Sequence, residues 1–229
     1  MKKLLLTALA VVILAGSVSA APTLQVYIPS ATYINETWVT HESSFEIWVV
    51  ADLYDGIIEP AHRQDLYGIQ LIASLGKEGS LGAPGDLKIF AEDKTTLLTT
   101  TPWINGIPPA ALSDWNVPPH GIYPSWFTEL AVESSTFDKA ATDEIRNYQD
   151  PISGVESMGI IYRYWVETEY DYVHFDAYCY TSPQMDQTTK YVAPFSHDAE
   201  YVVPEPTTML LFGFGLAGAG VVRRFRSKK

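Results

Sequence analysis

From Phe45 to Leu53 the chain alternates, with Phe45, Ile47, Val49, Ala51 and Leu53 on one side and Glu46, Trp48, Val50 and Asp52 on the other. A period of two suits a strand with one buried face and scatters its apolar residues around a helix. Similar runs occupy residues 24–28, 67–75, 126–133, 159–168, 170–180 and 188–195, and tyrosine, valine, tryptophan and threonine dominate them, as in strands. Helical spacing appears over residues 136–148, where Phe137, Ala141, Ile145 and Tyr148 recur. Many short strands with turn-rich connections predict a mainly β protein, an antiparallel two-sheet sandwich or jelly roll with that one short helix.

Both ends of the chain are apolar and differ from its middle. Lys2 and Lys3 precede the apolar run 4–15, and Val18, Ser19 and Ala20 place small or medium residues where a signal peptidase reads. Residues 1–20 are therefore read as a signal peptide helix cut after Ala20, since a cut one residue later would set Pro22 against the scissile bond. At the other end, residues 207–222 carry no charge and precede the basic residues Arg223, Arg224, Arg226, Lys228 and Lys229, which would hold the C-terminus on the cytoplasmic side. As a helix this run would cover roughly 24 Å, short of the hydrocarbon thickness of about 30 Å. Its glycines and alanines weaken it further, so a transient membrane helix that is processed suits it better than a lasting anchor. Gly213, Gly215 and Gly218 spell GxGxxG without a surrounding βαβ unit, and the match carries no weight.

The tail joins Pro204, Glu205 and Pro206, an apolar run and a basic end in that order, and it resembles the PEP-CTERM sorting signal of Gram-negative bacteria. That resemblance implies recognition by exosortase, a multi-spanning membrane protein thought to cleave at or near the motif. It divides the chain into a signal peptide (1–20), a β-rich acidic ectodomain (21–202) and a sorting signal (203–229). The signal comprises the motif at 203–206, the membrane helix at 207–222 and the basic tail at 223–229.

The ectodomain is long enough for one proper core, and no linker or internal repeat divides it. It holds 26 acidic and 8 basic residues, a net charge of −18 that the whole-chain value of −12 conceals. Such a surface repels nucleic acid and anionic headgroups. Cys179 is alone, so no intramolecular disulfide can form and stability must come from packing, with or without bound metal. Acidic groupings such as Asp143 with Glu144, and Glu167 with Glu169 and Asp171, suit weak Ca²⁺ sites or a solvated acidic surface.

Two regions are candidates for binding. If Val173, Phe175, Ala177 and Cys179 face the core, then Tyr170, Tyr172, His174, Asp176, Tyr178 and Tyr180 line the opposite face of one strand. Tyr172, His174, Asp176 and Tyr178 then form either a ligand face, on which aromatic rings stack against sugars, or a packed tyrosine ladder with His174 paired to Asp176 or to a backbone group. The segment 102–126 carries six prolines and the tryptophans Trp103, Trp115 and Trp126, which describes a stiff loop that either binds or covers an end of the core.

Four segments, at 24–50, 118–127, 170–179 and 193–200, are similar to the choice-of-anchor N ectodomain. That family occurs with different C-terminal anchors; the resemblance implies a secreted or surface protein and brings no catalytic residue with it. Catalytic signatures are missing, with no HExxH, CxxC, P-loop, nucleophile elbow or EF-hand. Histidines 41, 62, 120, 174 and 197 show no zinc-ligand spacing. The sequence therefore predicts a non-enzymatic exported protein, first an inner-membrane precursor and then a surface or extracellular-matrix component associated with exopolysaccharide or biofilm. Its expected partners are signal peptidase, exosortase and extracellular polysaccharide, with no obligatory cofactor. A carbohydrate-binding module is the leading alternative and a carbohydrate-active enzyme the more distant one.

Overall fold

The computed structural model describes residues 23–54, 59–76, 87–98, 102–107, 125–194 and 198–203. Its strands are β1 (Leu24–Tyr27), β2 (Thr32–Ile34), β3 (Thr37–Thr40), β4 (Ser44–Asp52), β5 (Tyr67–Ser74), β6 (Leu87–Phe90) and β7 (Ile104–Gly106). They continue with β8 (Ser125–Ser135), β9 (Asp143–Arg146), β10 (Val155–Thr168), β11 (Tyr172–Tyr180), β12 (Lys190–Val192) and β13 (Asp198–Val202). A five-stranded sheet runs β1-β4-β10-β6 with β9 beside β10, and an eight-stranded sheet runs β2-β3-β13-β11-β5-β8-β7 with β12 beside β11. The two sheets form a sandwich. Pairing is antiparallel throughout except between β13 and β3, which run parallel.

The alternation of β4 is what places the core. Phe45, Ile47, Val49 and Ala51 point inward and meet Val173, Phe175, Ala177 and Cys179 of β11, all nearly fully buried. Phe45 lies edge-on to Phe175 at 5.9 Å and stacks on Tyr201 of β13 at 6.1 Å, so three strands from both sheets share one aromatic contact. At the β1 edge the sandwich is closed by Tyr27, Trp38, Trp48 and Tyr148, whose rings lie 4.6–6.0 Å apart. Trp38 Nε1 donates to Tyr148 O at 2.7 Å and ties the eight-stranded sheet to the chain following β9.

One expectation is corrected. Residues 136–148 form no helix; they contain the irregular stretch 136–142 and β9. Phe137, which would have led the helix's apolar stripe, is 65% exposed, while Ile145 is fully buried against β10 as part of the five-stranded sheet. Tertiary pairing of four residues outweighed a weak local periodicity. The segment 188–195 is shorter as a strand than expected, because a 3₁₀ turn at Gln187–Thr189, capped by the Asp186 carboxylate, takes up its start. Among the described residues no helix is long and apolar enough to cross a membrane. The signal peptide helix at 1–20 and the membrane helix at 207–222 lie outside the described residues.

Candidate functional site

The core-facing side of β11 forces Tyr172, His174, Asp176, Tyr178 and Tyr180 onto the outer face of the eight-stranded sheet. That face is covered. His174 is 0% exposed, Asp176 2% and Tyr178 4%, and of the four residues expected to face a ligand only Tyr172 is partly open. Tyr178 and Tyr180, with rings 6.0 Å apart edge to face, pack with Ile72 of β5 and Phe127 of β8. The Lys190 ammonium lies 5.0 Å from the Tyr178 ring centre. Apolar neighbours on β5 and β8 thus bury the tyrosines, and an open platform for a stacked sugar ring does not form there.

A polar cluster occupies the same face toward β13. His174 is paired with Glu200, and Phe175 with Ala199. The same antiparallel register carried one step further sets Asp198 opposite Asp176. His174 Nδ1 is 3.0 Å from Glu200 Oε1, and the Tyr172 hydroxyl donates to that oxygen at 2.6 Å. On the other side of the ring, Nε2 lies 3.1 Å from Asp176 Oδ2 and 3.6 Å from Asp198 Oδ2. Thr37, the register partner of Asp198 in the parallel β3–β13 pair, lies beside the Asp198 carboxylate and favours its charged form. Among the described residues, His174, Asp176 and Asp198 bring three metal-ligand-type atoms within 4.8 Å of one another.

Burial and proximity shift these groups in opposite senses. Burial alone would lower the His174 pKa, but the Asp176 carboxylate, with Glu200 and Asp198, outweighs it and holds the imidazole well above its ordinary value. Burial raises Asp198 to about 8; the His174 charge and the Thr37 side chain oppose this, and Asp176 and Glu200 add to it. Three carboxylates packed around one imidazole therefore call for positive charge, either as protons or as a cation. Nucleophilic chemistry gains nothing from Cys179, which sits on the core side with its thiol pushed up to about 12 by burial.

The sequence reached His174, Asp176 and their possible pairing but missed Asp198 and Glu200. The signal was present as two H/D-x-D/E steps, His174 with Asp176 and Asp198 with Glu200, each with the two-residue spacing that keeps side chains on one face of a strand. The acidic groupings behave differently. Asp143 accepts from Ile161 N at 3.0 Å and pairs with Arg163 at 3.4 Å, and Glu144 lies 3.6 Å from Arg146. Glu167 and Glu169 border a shallow depression that also contains Lys88. Trp103 lies edge-on to Tyr170 at 6.2 Å, and Trp126 packs against the core; most of the proline-rich loop, including Trp115, lies outside the described residues.

Fold and cluster together define a β-sandwich ectodomain with a sealed polar centre, its last strand leading directly into the C-terminal tail. Residues 202–226 match the PEP-CTERM protein-sorting motif. The match implies an exosortase-sorted surface protein, exported, held first as a membrane-anchored precursor and processed by exosortase. It covers the tail and not the region that resembles the choice-of-anchor N ectodomain. No curated protein and no solved structure matches the chain. Pro204, Glu205 and Pro206, and the basic Arg223, Arg224 and Arg226, lie outside the described residues.

Proposed function

We propose that this chain is a non-enzymatic surface or matrix protein, with an ectodomain of the choice-of-anchor N type, held in the extracellular polysaccharide after exosortase processing. The observation that carries the sorting half of this reading is the position of the motif. The matched segment begins at residue 202, the last residue of β13, so the sorting signal follows the ectodomain without a linker. A non-catalytic role is supported by the depth of the polar cluster, since side chains at 0–2% exposure are out of reach of a polymeric substrate. Replacing Pro204, Glu205 and Pro206 together with alanine should leave an unprocessed form in the inner membrane. An unchanged mature C-terminus by mass spectrometry would overturn the sorting reading.

A carbohydrate-binding module is a second reading, favoured by a groove on the opposite sheet rather than by the tyrosine face. Glu46, Glu92, Lys94, Arg163 and Trp165 line a cavity of about 240 Å³, with the Lys94 ammonium 3.8 Å from the Trp165 ring centre. The Trp165 ring would supply a stacking face and the charged groups hydrogen-bond partners for a sugar, which would have to displace the Lys94 ammonium from above the ring. Trp165→Ala should then reduce retention in the cell's own polysaccharide while the melting temperature stays close to that of the parent. Unchanged retention would end this reading.

A further inference from the structure

We propose that His174, Asp176 and Asp198 form a buried structural site for a divalent transition metal ion of the zinc class, with His174 Nε2 and one oxygen from each aspartate as ligands. The geometry comes first. A metal about 2.0–2.2 Å from nitrogen and oxygen ligands in tetrahedral arrangement sets those ligands roughly 3.3–3.6 Å apart. The distances from Nε2 to the two carboxylate oxygens, 3.1 and 3.6 Å, lie close to that edge length, and all three atoms fall within 4.8 Å of one another.

The surroundings are those of a metal-binding histidine. Glu200 stands 3.0 Å from Nδ1 and is itself bonded by the Tyr172 hydroxyl. A carboxylate there accepts a hydrogen bond from Nδ1–H, and a metal ion that displaces the Nε2 proton would take the lone pair directed at Asp176 and Asp198; this carboxylate–histidine–metal arrangement orients the ring and strengthens it as a ligand. Thr37, paired with Asp198 in register, stands beside its carboxylate.

An independent observation points to a cation. Asp176 is 2% exposed, its Oδ2 meets no donor in hydrogen-bond geometry, and it faces His174 Nε2 at 3.1 Å and the Asp198 carboxylate. Buried carboxylate oxygens normally have donors, because leaving one desolvated without a donor is unfavourable. A divalent ion between the three atoms would satisfy Asp176 and offset the charge of the clustered carboxylates together. The nitrogen ligand and the small number of oxygens select against Ca²⁺ and Mg²⁺, which take six or more oxygen ligands, and in favour of zinc-like ions. The site would join β11 to β13, and through Thr37 to β3, next to the point where the chain leaves the fold for the sorting tail.

The full-length protein, purified without chelators, should carry close to one equivalent of transition metal by elemental analysis. After chelation, Zn²⁺ should raise its melting temperature while equal concentrations of Ca²⁺ and Mg²⁺ do not, and Co²⁺ should give the visible absorption of a tetrahedral site. Glu200→Gln keeps the size of the side chain and removes only the charge behind His174; it should weaken metal binding about 10- to 100-fold. Asp176→Asn should abolish the Co²⁺ spectrum. Folded parent protein that carries no transition metal and gains no stability from Zn²⁺ would overturn the proposal and leave the cluster as a proton-sharing network. Equal stabilisation by Zn²⁺, Ca²⁺ and Mg²⁺ would also overturn it, by reducing the effect to charge screening.

Discussion

Gln25 holds Tyr148 in place through both ends of its carboxamide: Oε1 accepts from Tyr148 N at 2.8 Å, and Nε2 donates to Arg146 O at 2.9 Å. The side chain substitutes for a strand partner. Gln25 is completely buried on β1, on the face opposite Val26, and it anchors the chain following β9 across more than a hundred residues of sequence. Tyr148 then stacks at 4.6 Å on Tyr27, two residues further along β1.

Gln25→Leu should therefore destabilise the protein well beyond the loss of one average hydrogen bond. It leaves a buried amide and a buried carbonyl unsatisfied, at about 1–3 kcal/mol each. Urea melts should show a lower midpoint with an unchanged slope. A shift below about 0.5 kcal/mol would mean that the segment 146–148 is held by Trp38 and the tyrosines alone.

Gly159→Ala tests the packing of the five-stranded sheet. Gly159 pairs with Asp52 on β4 and with Asp143 on β9. A Cβ there would overlap Ala51 O and come within 2.8 Å of Ile145 Cγ1. Since backbone oxygen cannot move aside as a side chain can, β4 or β10 must shift, at a cost of about 1–3 kcal/mol or more. Thermal melts of the variant and parent measure it, and equal melting temperatures would contradict the packing described.

Lys190 should give the protein a distinctive alkaline profile. Burial lowers its pKa to about 8, opposed in part by the charge of Glu129 on β8, while its ring neighbours Tyr178 and Tyr180 are held above the ordinary tyrosine value. A lysine with a depressed folded pKa binds fewer protons folded than unfolded between pH 8 and 10.5, so stability rises with pH in that window. The slope is at most about 1.4 kcal/mol per pH unit. Tyrosines with raised pKa reverse the trend above about pH 10, where the unfolded chain ionises first. Between pH 8 and 9.5 the parent should gain stability relative to Lys190→Met; parallel curves would show that the ammonium is solvated.

Cys179 should be inert in the folded protein. It is fully buried on the core side of β11, and burial holds its thiol at about 12, far above the pH at which thiolates react with alkylating reagents. Labelling with a maleimide at pH 8 should be negligible in native buffer and complete in denaturant. Rapid labelling of the native state would place Cys179 in a region that opens readily.

Much of this architecture was legible because strands announce themselves locally. The alternation of β4 placed Phe45, Ile47, Val49 and Ala51 inward, as they sit, although Val50 and Asp52 on the other side are buried too, and the tyrosine-rich run places Val173, Phe175, Ala177 and Cys179 toward the core, which is how β11 sits. The helix expected at 136–148 failed for a different reason. Ala141, Ile145 and Tyr148 have helical spacing, yet β10 is long enough to pair with both β4 and β9, and the hydrogen bonds of that pairing decided the conformation.

The polar centre divides along the same line. By itself the sequence determined that His174 and Asp176 share one face of a strand and that a PEP-CTERM tail follows, since each depends only on neighbouring residues; the strand that carries Asp198 and Glu200 was not among those expected. Tertiary structure alone decided that Asp198 and Glu200 join that face, that the face is buried, and that it lies beside Thr37 of a parallel strand. Strand order and register are set by long-range packing of the two sheets, and packing energy is shared among residues far apart in the chain, so no local pattern records which strands become neighbours.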